Sequence, residues 1–292
     1  MTQRRLLIVG CGDVALRVAR RLHGRYRLYG VIRDPAKRAL LAAHGITPVL
    51  ADLDRPASLD RLAGVGELVL HSAPPPLEGS VDPRTQSLLR ALSKGASLPY
   101  RLVYISTSGV YGDCHGEWVA ETKPVNPESD RAARRVDAEH QLRAFGQRTG
   151  AVVTLLRAPG IYAAERLPIE RLRRATPVLT AEDDGYTNHI HADDLAAIVV
   201  AALTRGRAGR CYNAADESWL KMGDYFDLVA DRFGIPRPRR ISWQQAQRDI
   251  PSALLSFMAE SRRLLSSRMR AELRVRLRYP RVTDFLETMG RG

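Results

Sequence analysis

The chain is 292 residues long, 45% hydrophobic, and carries a formal net charge of +13 at pH 7. That length can bury one large core or two modest ones, and no apolar run approaches the roughly 20 residues needed to span a bilayer. A soluble, cytoplasmic protein is therefore expected, with no membrane partner. Its three cysteines, Cys11, Cys114 and Cys211, are widely spaced and contain no Cys-x-x-Cys, so neither a disulfide framework nor a zinc site is indicated. Leu7-Ile8-Val9-Gly10-Cys11 has the outline of a lipoprotein cleavage box and Arg4-Arg5 that of a twin-arginine start. The apolar stretch is too short for either.

Such a basic balance ordinarily raises nucleic acid as a partner. Only four of the 45 basic residues are lysines, however, and the arginines are scattered over almost every segment, so nucleic acid is not expected here. The denser clusters at 166–174, 237–240 and 262–278 read as solvated helix faces. An anionic substrate, a phosphate or an acidic partner protein is the alternative.

In chain order, the first element is an apolar strand over residues 4–9 that breaks into Gly10-Cys11-Gly12-Asp13-Val14-Ala15 and turns helical. Strand, Gly-x-Gly-x-x-Ala, helix is the pattern of a dinucleotide pocket, because each small residue meets its own steric demand. Gly10 allows the tight turn, Gly12 lets backbone approach a pyrophosphate, and Ala15 lets the helix pack on its strand. Val14, Val18 and Leu22 then repeat at helical spacing, and the free N–H groups at the helix start would face the phosphates.

Strands are expected at 27–33, 47–50, 67–72, 101–106 and 152–157, and helices at 35–44, 57–62, 83–97 and 131–148. This alternation implies a parallel, doubly wound sheet of the α/β class. After Arg157 prolines break the pattern, and a helix at 193–203, a strand at 210–214, a helix at 222–233 and basic helical stretches from 244 to 278 follow. Residues 1–158 with 187–214 are expected to form the nucleotide-binding domain. Residues 159–186 with 215–292 are expected to form a smaller substrate-binding lid.

The second strand ends in Arg33, about 20 residues past the glycine loop, where a side chain meets the adenosine ribose. A guanidinium there forks onto a 2′-phosphate, which favours NADP, whereas Asp34 keeps NAD as the alternative. Asp34-Pro35 also makes an ordinary helix cap. Asp52 and Leu53, past the third strand, are candidates for the adenine edge.

From these motifs the chain resembles the short-chain dehydrogenase/reductase superfamily, in its extended or atypical branch of NAD(P)-dependent epimerases and dehydratases. The resemblance also rests on 104–112 (Tyr-Ile-Ser-Thr-Ser-Gly-Val-Tyr-Gly), 157–162 (Arg-Ala-Pro-Gly-Ile-Tyr), 189–196 (His-Ile-His-Ala-Asp-Asp-Leu-Ala) and 211–216 (Cys-Tyr-Asn-Ala-Ala-Asp). It implies a Rossmann fold with a smaller C-terminal substrate-binding region and a small-molecule substrate. Thr107 takes the position of the catalytic Ser/Thr, with Tyr111 as a further candidate. Ser72, Ala73 and Pro74 would line the cofactor, and Pro159, Gly160 and Ile161 would lie near the nicotinamide. His191 and Asp194 become structural residues at a helix start where Asp193 or Asp194 caps, so no metal is expected at His189-x-His191. The family often pairs through helices that include the long one, so a homodimer is possible.

One departure stands out. In the family's Tyr-x-x-x-Lys relay, Arg131 falls at the tyrosine and Arg135 at the lysine, and arginine does not deprotonate in proteins. Arg135 could still hold ribose hydroxyls. The expected proton donor is then a substituted group, with Tyr111, Tyr162, His115 and His189 as candidates. The alternatives are an NADP-binding sensor or interaction module without turnover, and a basic surface over a vestigial pocket.

Overall fold

A computed structural model describes residues 3–290. Seven parallel strands form its central sheet, in the order β11-β7-β5-β4-β1-β2-β3. In chain order the elements are β1 (Arg5–Val9), α1 (Asp13–Leu22), β2 (Arg27–Ile32), α2 (Arg38–Ala43), β3 (Ile46–Leu50), β4 (Leu68–His71), α3 (Pro83–Leu92) and β5 (Arg101–Thr107). Then come β6 (Trp118–Val119), α4 (Asp130–Thr149), β7 (Val152–Ala158), β8 (Gly160–Tyr162), α5 (Ile169–Arg173), β9 (Val178–Leu179), β10 (His189–His191), α6 (Ala192–Arg205) and β11 (Arg210–Asn213). The chain finishes with α7 (Met222–Phe233), β12 (Arg240–Ile241), α8 (Trp243–Asp249), α9 (Ser252–Met258), β13 (Arg263–Leu264), α10 (Ser267–Leu273) and α11 (Val282–Thr288).

Helices cover both faces of this sheet, which is why its inner strands are near-continuous apolar runs and do not alternate. Leu6, Leu7, Ile8 and Val9 have no exposed surface, and successive residues of β1 enter opposite cores. Val14, Val18 and Leu22 of α1 pack against α6 on one side. On the other side Leu88 and Leu92 of α3 meet Leu142 and Phe145 of α4. Each fully buried side chain of this kind contributes about 1.5–3 kcal/mol. The strand order reverses between β1 and β4, and the loops after both strands line a crevice there.

Local signals set most boundaries. Ser129 accepts a hydrogen bond from the Ala132 amide to start α4, and Gly150, at φ 75°, stops it. Asp34 accepts from the Ala36 amide with Pro35 behind it, as expected of a cap, although the turn is 3₁₀ before α2 begins. The stretch expected as a helix over 57–62 is likewise 3₁₀, and the helix expected over 83–97 stops at Leu92.

Other expectations needed correction. His191, not Asp193 or Asp194, caps α6, its ring accepting from the Asp193 amide at 3.2 Å. Asp194 instead accepts from the Arg278 and Tyr279 amides, and Asp193 from Arg17. The basic stretch from 244 to 278 is interrupted by β13, which pairs with β6 through Arg263↔Trp118 and Leu264↔Val119. The irregular region after β7 contains a second small parallel pair, β8 with β10. Two- and three-residue strands offer too few positions for a period to show.

Candidate functional site

The glycine turn after β1 is held by steric closeness. Gly10 sits at φ +95°, and a Cβ on it would lie 2.3 Å from the Ala73 amide nitrogen. Only glycine fits. The amides of Ser72 and Ala73 donate to the Val9 carbonyl at 2.8 and 3.0 Å, and the Ser72 hydroxyl donates to Gly10 O at 2.6 Å. Gly12 is the opposite case. A Cβ there would meet nothing within 4 Å, because the residue opens onto the crevice. It stands at the start of α1, and no side chain caps that helix end. A cradle that a Cβ would fill and uncapped amides beside it suit a diphosphate.

From this turn a cleft of about 670 Å³ extends along the strand ends. At one end it is lined by Arg33, Asp34 and Lys37 from the β2 end, and by Asp52, Leu53 and Asp54 beyond β3. Asp54 is gripped by Arg84 through two bonds of 2.7 and 2.6 Å, which holds its carboxyl below the usual range. Asp34 is engaged as a cap, and Asp13 pairs with Arg17 and Arg166 at 2.8 and 3.2 Å. Arg33 and Lys37 thus present exposed positive charge at that end.

The opposite end is formed by Ile105, Ser106, Thr107, Arg135, Ala158, Pro159 and Ile161. Arg135 reaches in from α4 and donates to the Tyr104 hydroxyl at 2.9 Å and to Ile105 O at 3.0 Å. Burial pushes the Tyr104 phenol up to about 12, against the pull of Arg135. The Thr107 hydroxyl accepts from the Gly109 amide at 3.2 Å, capping a 3₁₀ turn, and as an acceptor it keeps its own hydrogen to donate. Both strands here are tied by a buried cluster in which Glu139 accepts from Ser106 at 2.7 Å and from Arg157 at 3.1 and 2.7 Å.

Gly10, Gly12, Asp13, Val14, Ala15, Arg33, Asp52, Leu53, Ser72, Ala73, Pro74, Thr107, Arg135, Pro159 and Ile161 therefore converge on one cleft. Two expected site residues do not. Gly160 faces a separate cavity because β8 turns it away from its neighbours, opposite Asn188 and His189. Tyr111 is 1% exposed, with its hydroxyl donating to Asn213 at 2.8 Å and Arg157 stacked on its ring, so it belongs to the core.

The other candidate proton donors are also displaced. His115 is exposed and pairs with Asp113, while Tyr162 and His189 are buried on the wall of the separate cavity. Residues the motifs did not point to include Lys37, Asp54, Arg84 and Arg166 on the cleft wall. For Arg166 the basic cluster at 166–174 was the available signal. Glu260, which is not on the cleft wall, has its Oε2 4.0 Å from the point where a Gly109 Cβ would stand, and that oxygen is paired with Arg262. Burial raises its carboxyl, while Arg262 and Arg131 oppose the shift.

Sheet order, glycine turn and crevice together define a Rossmann-type protein of the short-chain dehydrogenase/reductase kind. Residues 6–215 match the NAD dependent epimerase/dehydratase family, and the chain belongs to that family. It is 28% identical over 159 residues to a dTDP-glucose 4,6-dehydratase of Streptomyces griseus, a match covering 51% of this chain and 48% of that protein. It is 31% identical over 160 residues to one of Mycobacterium tuberculosis, covering 46% and 48%. These matches span about half the length of the curated relatives.

Among solved structures, a conserved protein of unknown function from Silicibacter pomeroyi superposes with a TM-score of 0.79 at 27% identity, covering 98% of this chain and 97% of that one. UDP-glucuronic acid 4-epimerase from Bacillus cereus in complex with NAD gives 0.76 at 19% identity, with 97% and 96% covered, a likeness of fold. No helix among the described residues is long and apolar enough to cross a membrane.

Proposed function

We propose that this protein is an NADP-dependent oxidoreductase or epimerase-like enzyme acting on a small carbonyl or sugar-type substrate. The observation that carries the reading is the cleft itself, open at Gly12, basic at Arg33 and Lys37, and ending at the Thr107 hydroxyl. Exposed cations beside the β2 end support a 2′-phosphate over a free ribose hydroxyl. The sugar-nucleotide names of the dehydratase and epimerase relatives support the substrate class.

When bound, the nicotinamide group supplies hydride exchange. The chain's own residues do the rest. Gly10 and Gly12 make room for the diphosphate, the α1 amides hold it, Arg135 orients the ribose, and Thr107 donates to the reacting oxygen.

The arginines at 131 and 135 favour a second reading, an NADP-binding sensor without turnover. Titrating the protein with NADPH, followed by nicotinamide fluorescence, tests the cleft, and absence of binding to NADPH and NADH at millimolar levels would end both readings. Given binding, a panel of carbonyl and sugar-nucleotide substrates separates them. Turnover that is lost in Thr107→Ala supports the enzyme. Binding without turnover on any substrate leaves the sensor.

A further inference from the structure

The turn that follows β8 is drawn down onto the first turn of α1. Ala164–Arg166 form a single 3₁₀ turn, exposed at all three positions but fixed on either side by the buried Tyr162, Ala163 and Leu167. Two ion pairs join it to the helix. Glu165 accepts from Arg17 at 2.7 Å, and Arg166 Nη2 stands 3.2 Å from Asp13 Oδ2. Because β8 pairs with β10, and α6 follows β10 to pack on α1, turn and helix belong to one packed unit.

Asp13 follows Gly12 directly, so its carboxylate stands beside the cradle proposed for the diphosphate. Two anions that close repel unless a cation is set between them. Arg17 is not available for this, since its Nε, Nη1 and Nη2 go to Asp13, Asp193 and Glu165 at 2.7–2.8 Å. Arg166 is. Its side chain keeps 35% of its surface exposed, it lines the cofactor cleft, and among the described residues Asp13 is the one partner of its guanidinium. A guanidinium has five N–H groups, and one pair with a single carboxylate oxygen leaves the others for a second anion. The remaining cations on the cleft wall are engaged or lie elsewhere. Arg84 is spent on Asp54 and two carbonyls, Arg135 holds Tyr104 and Ile105, and Arg33 and Lys37 stand at the β2 end.

We infer that Arg166 is a phosphate-binding residue, which holds the cofactor diphosphate against the α1 amides while it neutralises Asp13. This rests on the cofactor reading above and adds to it a contact that the glycine pattern does not encode, supplied from about 150 residues further along the chain. The diphosphate is common to NADP and NAD. Arg166 therefore serves affinity for either, whereas Arg33 distinguishes them.

The test is fluorescence titration of the full chain with NADPH and with NADH, beside calorimetric titration with adenosine 2′-monophosphate, a probe that carries the 2′-phosphate but no diphosphate. Arg166→Gln should weaken NADPH and NADH about tenfold each and leave the monophosphate within about twofold of the parent. The bound lifetime of NADPH, read by stopped-flow displacement, should shorten by a similar factor. Arg166→Lys should recover part of the loss, because it keeps the charge but not the fork. The pair with Asp13 is partly exposed, so Tm should move by less than about 2 °C in both variants.

Undiminished affinity for both dinucleotides in Arg166→Gln, with the parent binding them, would overturn the contact and leave the cofactor reading intact. A loss confined to NADPH would move Arg166 to the 2′-phosphate and overturn it as well. An equal loss of the monophosphate, or a fall in Tm of more than about 5 °C, would make Arg166 a structural residue. A parent chain that binds neither NADPH nor NADH at millimolar levels would remove the cofactor reading and this contact with it.

Discussion

Gly10 and Gly12 stand two residues apart in one turn, yet the structure gives their replacement by alanine opposite consequences. At Gly10 the φ of +95° costs an alanine about 1–2 kcal/mol. Its Cβ would also sit 2.3, 2.6 and 2.7 Å from backbone atoms of Ala73 and Ser72. Backbone cannot rotate aside as a side-chain tip would, so the β4 loop must move, at about 1–3 kcal/mol more. A total of about 3 kcal/mol lowers Tm by about 5–10 °C in a chain of this size.

At Gly12 the backbone, φ −85° and ψ −173°, suits any residue, and a Cβ meets no protein atom within 4 Å. Gly12→Ala should leave folding unchanged or raise stability by about 0.4–1 kcal/mol, because it restricts the unfolded chain. The methyl group would occupy the space proposed for the diphosphate and push it off the α1 amides. Affinity for NADPH should fall by about 100-fold, equivalent to about 2.7 kcal/mol. Differential scanning fluorimetry and fluorescence titration read the two quantities separately. If Gly12→Ala binds NADPH within about threefold of the parent, or melts as early as Gly10→Ala, the argument that this open space is a phosphate cradle is wrong.

Three further expectations follow from particular contacts. Arg33→Ala should weaken NADPH binding about tenfold while leaving NADH nearly unchanged, and added salt should narrow the difference, since this side chain is exposed; equal losses for both cofactors would remove the 2′-phosphate assignment. Glu139→Ala leaves the Arg157 guanidinium, 4% exposed, without its carboxylate, and urea unfolding should show a loss of about 3–5 kcal/mol; a change below about 1 kcal/mol would mean water replaces the pair. The Asp216 carboxyl is lifted to about 7, chiefly by burial, with the Ser218 amide, which donates to its Oδ1 at 3.0 Å, opposing the shift. Because the folded form binds its proton more tightly than the unfolded chain, stability should fall as pH rises from about 4 to about 7, by about 1.4 kcal/mol per unit, and then level off. Asp216→Asn should flatten that slope and melt higher at pH 8, and an unchanged slope would place the effect elsewhere.

The alternation of strand and helix up to β7 was legible because a parallel sheet covered on both faces writes itself as apolar runs separated by amphipathic helices. Asp34 was legible for a similar reason, since a cap is made by residues next to each other. Boundaries failed where the chain adopts 3₁₀ turns, as at 35–37 and 56–62, because a 3₁₀ turn does not follow the 3.6-residue period by which a helix is read. The pairings of β6 with β13 and β8 with β10 were invisible, being set by partners 145 and 29 residues away along Trp118↔Arg263 and Gly160↔His189.

The same divide runs through the site. Gly10, Gly12 and Ala15 could be assigned from spacing alone, because a tight turn between strand and helix is a local steric problem that few residue types solve. Whether a tyrosine or histidine reaches the reacting end is a question of distance through space, and there the fold moved Tyr111 into the core and His189 to another cavity. It set the Arg171 guanidinium against the Phe226 ring with Nε and Nη2 buried and unpaired. Local geometry is encoded by neighbours in the chain. Charge, burial and reach are decided by whatever the completed packing sets against each side chain.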